Sequence, residues 1–401
     1  MRWSGRCAGL LLASQLAAAT ATAQTVATPV DTASLPPGWS ATPSAAVAEL
    51  WDDNIALTGD GGNKIADLVT AVTPALALNY RGRYSQLTFD YRSTFDLYRE
   101  RDEFDSADHL GRLEFDRRLG RSANLFARNN FTMAPTTELP ATADAGLIVL
   151  RRRTTRFNDF RGGFEFTTGR HSTLTTAYTS QWVSLAGADE LQPLLRGGYS
   201  HGADVAFRRE VSSRTTVGAS YRLQHAVVAE GAEAFDVQHA AALLELELAP
   251  SLTMRGSAGY AWLLAGRDTE GRSAPAYQVG LAYARRRATW ELSYARAYLP
   301  SFGFGGTVQN QEVRGSVRAP LSRRVHVAAL LAARRNEPLS SGQASLRSVA
   351  AQGSVQMTLV SWLRLEVFAV HALQDSQRAG GRVGRTRAGV RLVTLHSTRL
   401  R

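Results

Sequence analysis

Asp52 and Asp53 are adjacent carboxylates, the residue types that acid–base chemistry or a bound cation would need. They stand in Trp51-Asp52-Asp53-Asn54, inside a stretch that reads as a strand. Successive strand residues point to opposite faces, so the pair cannot share one substrate without a bulge. The spacing therefore favours a polar strand end over a catalytic pair. The eight histidines (His109, His171, His201, His225, His239, His326, His371 and His396) are scattered. None has metal-ligand spacing or a neighbouring Glu as in H-E-x-x-H. No G-x-S-x-G or Walker pattern sits where a strand, turn and helix would have to follow one another. No catalytic residue, metal ligand or cofactor is assigned, and the chain is not read as an enzyme.

The abundant chemistry is guanidinium. Lys and Arg total 46 against 35 Asp and Glu, a formal charge of +11, and Lys64 is the single lysine. A charge of that size invites a nucleic-acid reading. The arginines are instead spread along the chain, with no basic run carrying interleaved aromatics. Such spacing suits a basic surface or a basic pore, and nucleic acid is not expected as a partner.

The N-terminus supports an exported protein. Arg2 and Arg6 give a positive start, Gly9 to Ala19 is apolar and small-residue rich, and Ala21-Thr22-Ala23 is an A-x-A pattern. Residues 1–23 read as a signal peptide, cleaved after Ala23. The one cysteine, Cys7, falls inside it, so the mature chain holds no disulfide or thiolate site. Residues 24–43, with Pro29, Pro36, Pro37 and Pro43, read as a short periplasmic leader. After the signal no apolar run reaches the ~18 residues that a membrane helix needs. A mean hydropathy of −0.19 still allows a barrel, whose strands alternate.

Alternation is the signal that organises the rest. Leu87, Phe89, Tyr91, Phe95 and Leu97 alternate with Thr88, Asp90, Arg92, Thr94 and Asp96. Leu113 and Phe115 alternate with Glu114 and Asp116, and Leu244, Leu246 and Leu248 with Glu245 and Glu247. Val313 and Val317 alternate with Glu312, Arg314, Ser316 and Arg318. Val349, Val355, Met357 and Leu359 repeat the pattern against Gln352, Ser354, Gln356 and Thr358. A soluble sandwich and a membrane barrel share such alternation, and the connections separate them.

Short polar turns recur around Gly82, Gly120, Gly169, Ser213, Pro250, Arg286, Ser322 and Ser361. Longer loops lie between them, among them Gly59 to Asn63, Gly187 to Pro193 and Gly266 to Ser273. Short turn and long loop in phase is the asymmetry of outer-membrane barrels. Trp290 and Trp362 follow short turns, while Trp51, Trp182 and Trp262 fall near long loops, as interfacial girdles would. The expected fold is all-β: a transmembrane antiparallel up-and-down barrel over residues 44–401. It should have about 16–18 strands of roughly ten to twelve residues, with both termini periplasmic.

Trp51 to Leu57, then Asp67, then Val72-Thr73-Pro74-Ala75-Leu76-Ala77-Leu78, then Tyr84 to Tyr91 form an ordered set. That text resembles the N-terminal part of the β-barrel porin 2 family of outer-membrane proteins. The close resemblance covers about residues 45 to 130, and the remainder matches in rhythm. It implies a bacterial outer-membrane location. It also implies company with exopolysaccharide gene clusters, so a barrel for exopolysaccharide export or anchoring, or a purely structural barrel, stands as the alternative. One departure is the C-terminal text Val393 to Arg401, which lacks the terminal aromatic of many such barrels and suggests a last strand ending near Leu395.

Arg92, Arg222, Arg314, Arg318, Arg385, Arg387 and Arg391 fall on polar-face positions and are the expected pore-lining residues. Rings of arginine favour anions. Acids such as Asp90, Asp96, Glu114, Glu245, Glu247 and Glu312 would pair with part of that charge. The longest connection, about 134 to 150, carries Glu138 and Asp144. It reads equally as a surface loop or as a third loop folded inward, which would set both acids against the lumen arginines. The expected function is a passive channel for small hydrophilic solutes with weak anion preference. Outer-membrane lipid, lipopolysaccharide and the barrel-assembly machinery are the expected partners, and a homo-oligomer is left open.

Overall fold

The structure, a computed structural model, describes residues 37–59, 62–135, 154–185, 197–228, 233–264, 271–285, 287–300, 307–339, 345–376, 381–396 and 398–400. The signal segment, Glu138 and Asp144 lie outside the described residues.

The chain is a meander of strands: β1 (Gly38–Asp52), β2 (Asp67–Arg81), β3 (Ser85–Tyr98), β4 (Ser106–Arg118), β5 (Ala123–Pro135) and β6 (Thr154–Thr167). There follow β7 (Ser172–Leu185), β8 (Gly198–Ser212), β9 (Thr215–Val228), β10 (Glu233–Ala249), β11 (Leu252–Leu263) and β12 (Arg272–Arg285). The last are β13 (Ala288–Pro300), β14 (Thr307–Pro320), β15 (Val325–Pro338), β16 (Leu346–Val360), β17 (Leu363–Ser376), β18 (Gly381–Leu395) and the short β19 (Thr398–Leu400). From β1 to β18 each strand pairs antiparallel with its sequence neighbours, β1 pairs with both β2 and β18, and β19 extends the wall by pairing with β1. The sheet is therefore closed, with 18 strands around the wall among the described residues. Closure pairs each of β1–β18 on both sides within the wall, the condition for crossing hydrocarbon.

Two boundaries differ from the sequence expectation. β1 starts at Gly38, inside the segment read as a leader, because Pro43 does not interrupt it. Pro43 has no N–H, but it lies where the closing strand itself gives way between β18 and β19, and its carbonyl accepts the His396 N–H at 3.1 Å. Across that gap the register is unbroken, since Ser44 pairs with Leu395 and Ala41 with Thr398. Pairing thus continues past Leu395 to Leu400. The strands are also longer than the apolar band requires, 12 residues in β11 and 17 in β10. A 14-residue strand tilted by ~45° rises about 33 Å, so pairing runs into the aqueous layers beyond a ~25 Å apolar belt.

The two faces divide as the alternation implies. Tyr91, Phe95, Leu97, Leu244, Leu248, Val313, Val317, Val349, Val355 and Met357 are exposed on the outside. Arg92, Asp96, Arg334, Ser354 and Glu366, one residue out of phase, are buried on the inside. Exposed Trp51, Trp182 and Trp262 ring the long-loop end. Trp39 and Trp362 are exposed at the short-turn end, where Trp290 stacks on Tyr283 with centroids 5.7 Å apart. The turn between β4 and β5 uses Gly120 at φ 96°, a left-handed conformation that glycine adopts without strain.

Candidate functional site

The inner wall is uneven, and its densest chemistry lies at the β18–β1 closure. Asp52 ends β1 on the inward face and is fully buried. The Arg385 Nε donates to its two oxygens at 3.1 and 2.9 Å, and Arg385 Nη2 donates as well. Arg387 Nε approaches Asp52 at 3.5 Å, and its Nη2 lies 3.8 Å from Asp96 on β3. Two inward positions along β18, Arg391 pairs with Glu366 of β17 at 3.2 Å and lies over the Phe368 ring at 4.7 Å. Arg92 is buried nearby, in the field of Arg391, Asp90 and Asp108. Gly389 makes the close approach of β18 to β1 feasible, because a Cβ there would meet the Glu49 carbonyl at 2.4 Å. The fully buried charges are offset by partners, which a low-dielectric wall demands.

The remainder of the Asp-Asp-Asn motif ties the first long loop over this closure. Asp53 lies past the strand end, accepts the Thr386 N–H at 2.5 Å and faces Lys64 at 3.9 Å. Asn54 accepts the Thr58 N–H at 2.9 Å and donates to the carbonyls of Thr58 and Gly384 at 2.9 and 3.0 Å. Between them Leu57 takes a positive φ of 53°, a conformation this clamp holds. Asp67 receives the N–H groups of Glu100 and Arg101 at 3.1 and 3.2 Å, fixing the next loop. Below these loops Leu50, Ile55, Val69, Tyr98 and Phe368 form a buried apolar cluster.

Across the barrel the wall has another character. At its loop end Val228, Phe235, Val237, Ala261, Leu263 and Ala276 pack into an apolar cluster. Below it, towards the short turns, inward-face side chains are exposed: Arg222 on β9, Glu247 on β10, Gln278 on β12, Glu291 on β13 and Arg318 on β14.

The sequence-predicted arginines thus fall into two groups. Arg92, Arg385, Arg387 and Arg391 converge at the closure. Arg222, Arg314 and Arg318 sit on β9 and β14 away from it, Arg222 in register with Asp204 of β8 and His239 of β10. Of the acids, Asp96 meets Arg387, Glu114 meets Arg112 and Arg128, Glu245 meets Arg255 at 3.2 Å, and Glu312 meets Arg334 at 2.6 Å. Arg128–Asp116 and Arg161–Asp204 add pairs of 2.7 and 2.8 Å. Inward arginine outnumbers acid on β14–β18, whereas acid outnumbers arginine on β3–β4. The sequence alone does not single out Asp52 or Glu366 as lumen partners. Glu366 was within reach, because Leu365-Glu366-Val367 continues the alternation and places it on the arginine face.

A closed wall, apolar outside and charged inside, inverts the arrangement of a soluble protein. It is an outer-membrane type of barrel. No family model and no curated protein matches the chain. Among solved structures it is similar to OccAB4 of Acinetobacter baumannii, at 8% identity and TM-score 0.45 over 90% of this chain and 98% of that one. It is similar also to Pseudomonas aeruginosa OpdK solved with vanillate, at 12% identity and TM-score 0.45 over 90% and 99%. A variant of the Pseudomonas aeruginosa ferric enterobactin receptor PfeA gives 9% identity and TM-score 0.44 over 90% and 81%.

Proposed function

We propose that the protein is a passive outer-membrane channel for small hydrophilic solutes, with a weak preference for anions. The observation that carries this is the set of exposed polar side chains on the inner face of β9–β14, Arg222, Glu247, Gln278, Glu291 and Arg318, inside a closed wall. A lumen filled by its own side chains, as in small barrels, would leave no such lining. The preference for anions rests on Arg222 and Arg318 in that lining and on the inward arginine excess of β14–β18. Glu247 and Glu291 in the same lining keep it weak. The resemblance of residues 45 to 130 to the β-barrel porin 2 family agrees with this reading.

Liposome swelling tests it. Purified protein should admit neutral sugars at rates that fall with solute size and do not saturate with concentration. Swelling equal to that of protein-free liposomes would refute the channel.

A further inference from the structure

The outer face at the long-loop end is not uniform. On β1–β12 its polar residues are mostly uncharged side chains and histidines. His109 bonds to Tyr91 at 2.8 Å, His201 to Tyr178 at 2.6 Å and His225 to Asp236 at 2.8 Å. Arginine gathers on β13–β18. Arg335 shares the outward face of β15 with exposed Leu331, and Arg347 shares that of β16 with exposed Val349. These two guanidinium residues are direct cross-strand partners. Arg347 is next in register with Asp375, and Asp375 with Arg382. On the other flank Arg296 donates to Gln309 at 3.0 Å, Gln309 donates to Glu337 at 3.4 Å, and Glu337 pairs with Arg335.

Four arginines, Arg296, Arg335, Arg347 and Arg382, are thus set against two carboxylates on one arc. Like charges directly opposite on neighbouring strands are unfavourable unless an anion lies between them. Guanidinium forks match phosphate oxygens, and the pair sits within a few residues of the loop-side strand ends, at headgroup height above the apolar band. This face of a transmembrane wall meets lipid rather than solution. The long-loop side of such a barrel is its extracellular side, so the lipid is that of the outer leaflet.

We propose that Arg335 and Arg347, flanked by Arg296 and Arg382, bind the phosphate of an anionic glycolipid headgroup in the outer leaflet. The site is independent of whether the lumen conducts. The test uses the full-length protein in detergent with bisphosphorylated lipid A as the probe, retained glycolipid being read by native mass spectrometry. Double substitution Arg335→Gln with Arg347→Gln should lower retention by about tenfold, the size expected when charge-assisted contacts are lost. Arg156→Gln, on the outward face of β6, should leave retention unchanged. Equal retention by the double variant and the unsubstituted protein would overturn the site, as would an equal loss in Arg156→Gln. Should the double variant fail to fold, the unsubstituted protein decides: it must retain dephosphorylated lipid A about tenfold less well than the phosphorylated form. Inorganic phosphate at millimolar concentration should not displace the lipid, and full displacement would mean a free-anion site instead.

Discussion

The wall at the β18–β1 closure and the wall formed by β9–β14 carry the same residue types to different ends. At the closure, arginine and carboxylate are buried against each other, as in Asp52 with Arg385 and Arg387 and in Glu366 with Arg391. Across the barrel, Arg222 and Arg318 remain exposed on the inward face. A guanidinium already held by a buried acid contributes to the wall's integrity and is poorly placed to meet a passing anion. An exposed one loses little by exchanging water for solute. Position in the ring, rather than the arginine itself, decides which role each residue has.

The largest expected effect follows from breaking the closure. Asp52→Asn leaves buried Arg385 and half-buried Arg387 without their shared carboxylate, and should destabilise the barrel by about 3–5 kcal/mol. A fall in the temperature at which the compact gel band disappears would measure it. Glu366→Gln should follow the same direction with a smaller loss, about 2–3 kcal/mol, because Arg391 keeps its contact with Phe368. The smallest stability effect is expected on the far wall. Combined Arg222→Ala and Arg318→Ala should stay within about 0.5 kcal/mol per site. That variant should nevertheless shift the reversal potential towards cations, whereas Glu366→Gln should not. If the far-wall variant lowers stability as much as Asp52→Asn, the division between the two walls is wrong.

Strand number, turn phase and the facing of each strand were legible because alternation and turn chemistry are local. Leu97 and Asp96, or Val317 and Arg318, reveal their faces without any knowledge of their neighbours. The pairing of Asp52 with Arg385 was not legible, since 333 residues separate them and closure alone makes them adjacent. Asp52 and Asp53 looked alike in sequence, yet one ends a strand facing inward and the other caps the backbone of β18. The start of β1 was misplaced for a similar reason. Pro43 reads as a strand breaker until the gap between β18 and β19 is seen beside it.

Ion conduction through a planar bilayer tests the central claim most directly. Purified protein added to one side of a salt gradient should give discrete, reproducible conductance steps with a small reversal potential of the sign for anion preference. A complete absence of steps would contradict an open lumen, and a reversal potential of the cation-selective sign would contradict the role given to the far-wall arginines.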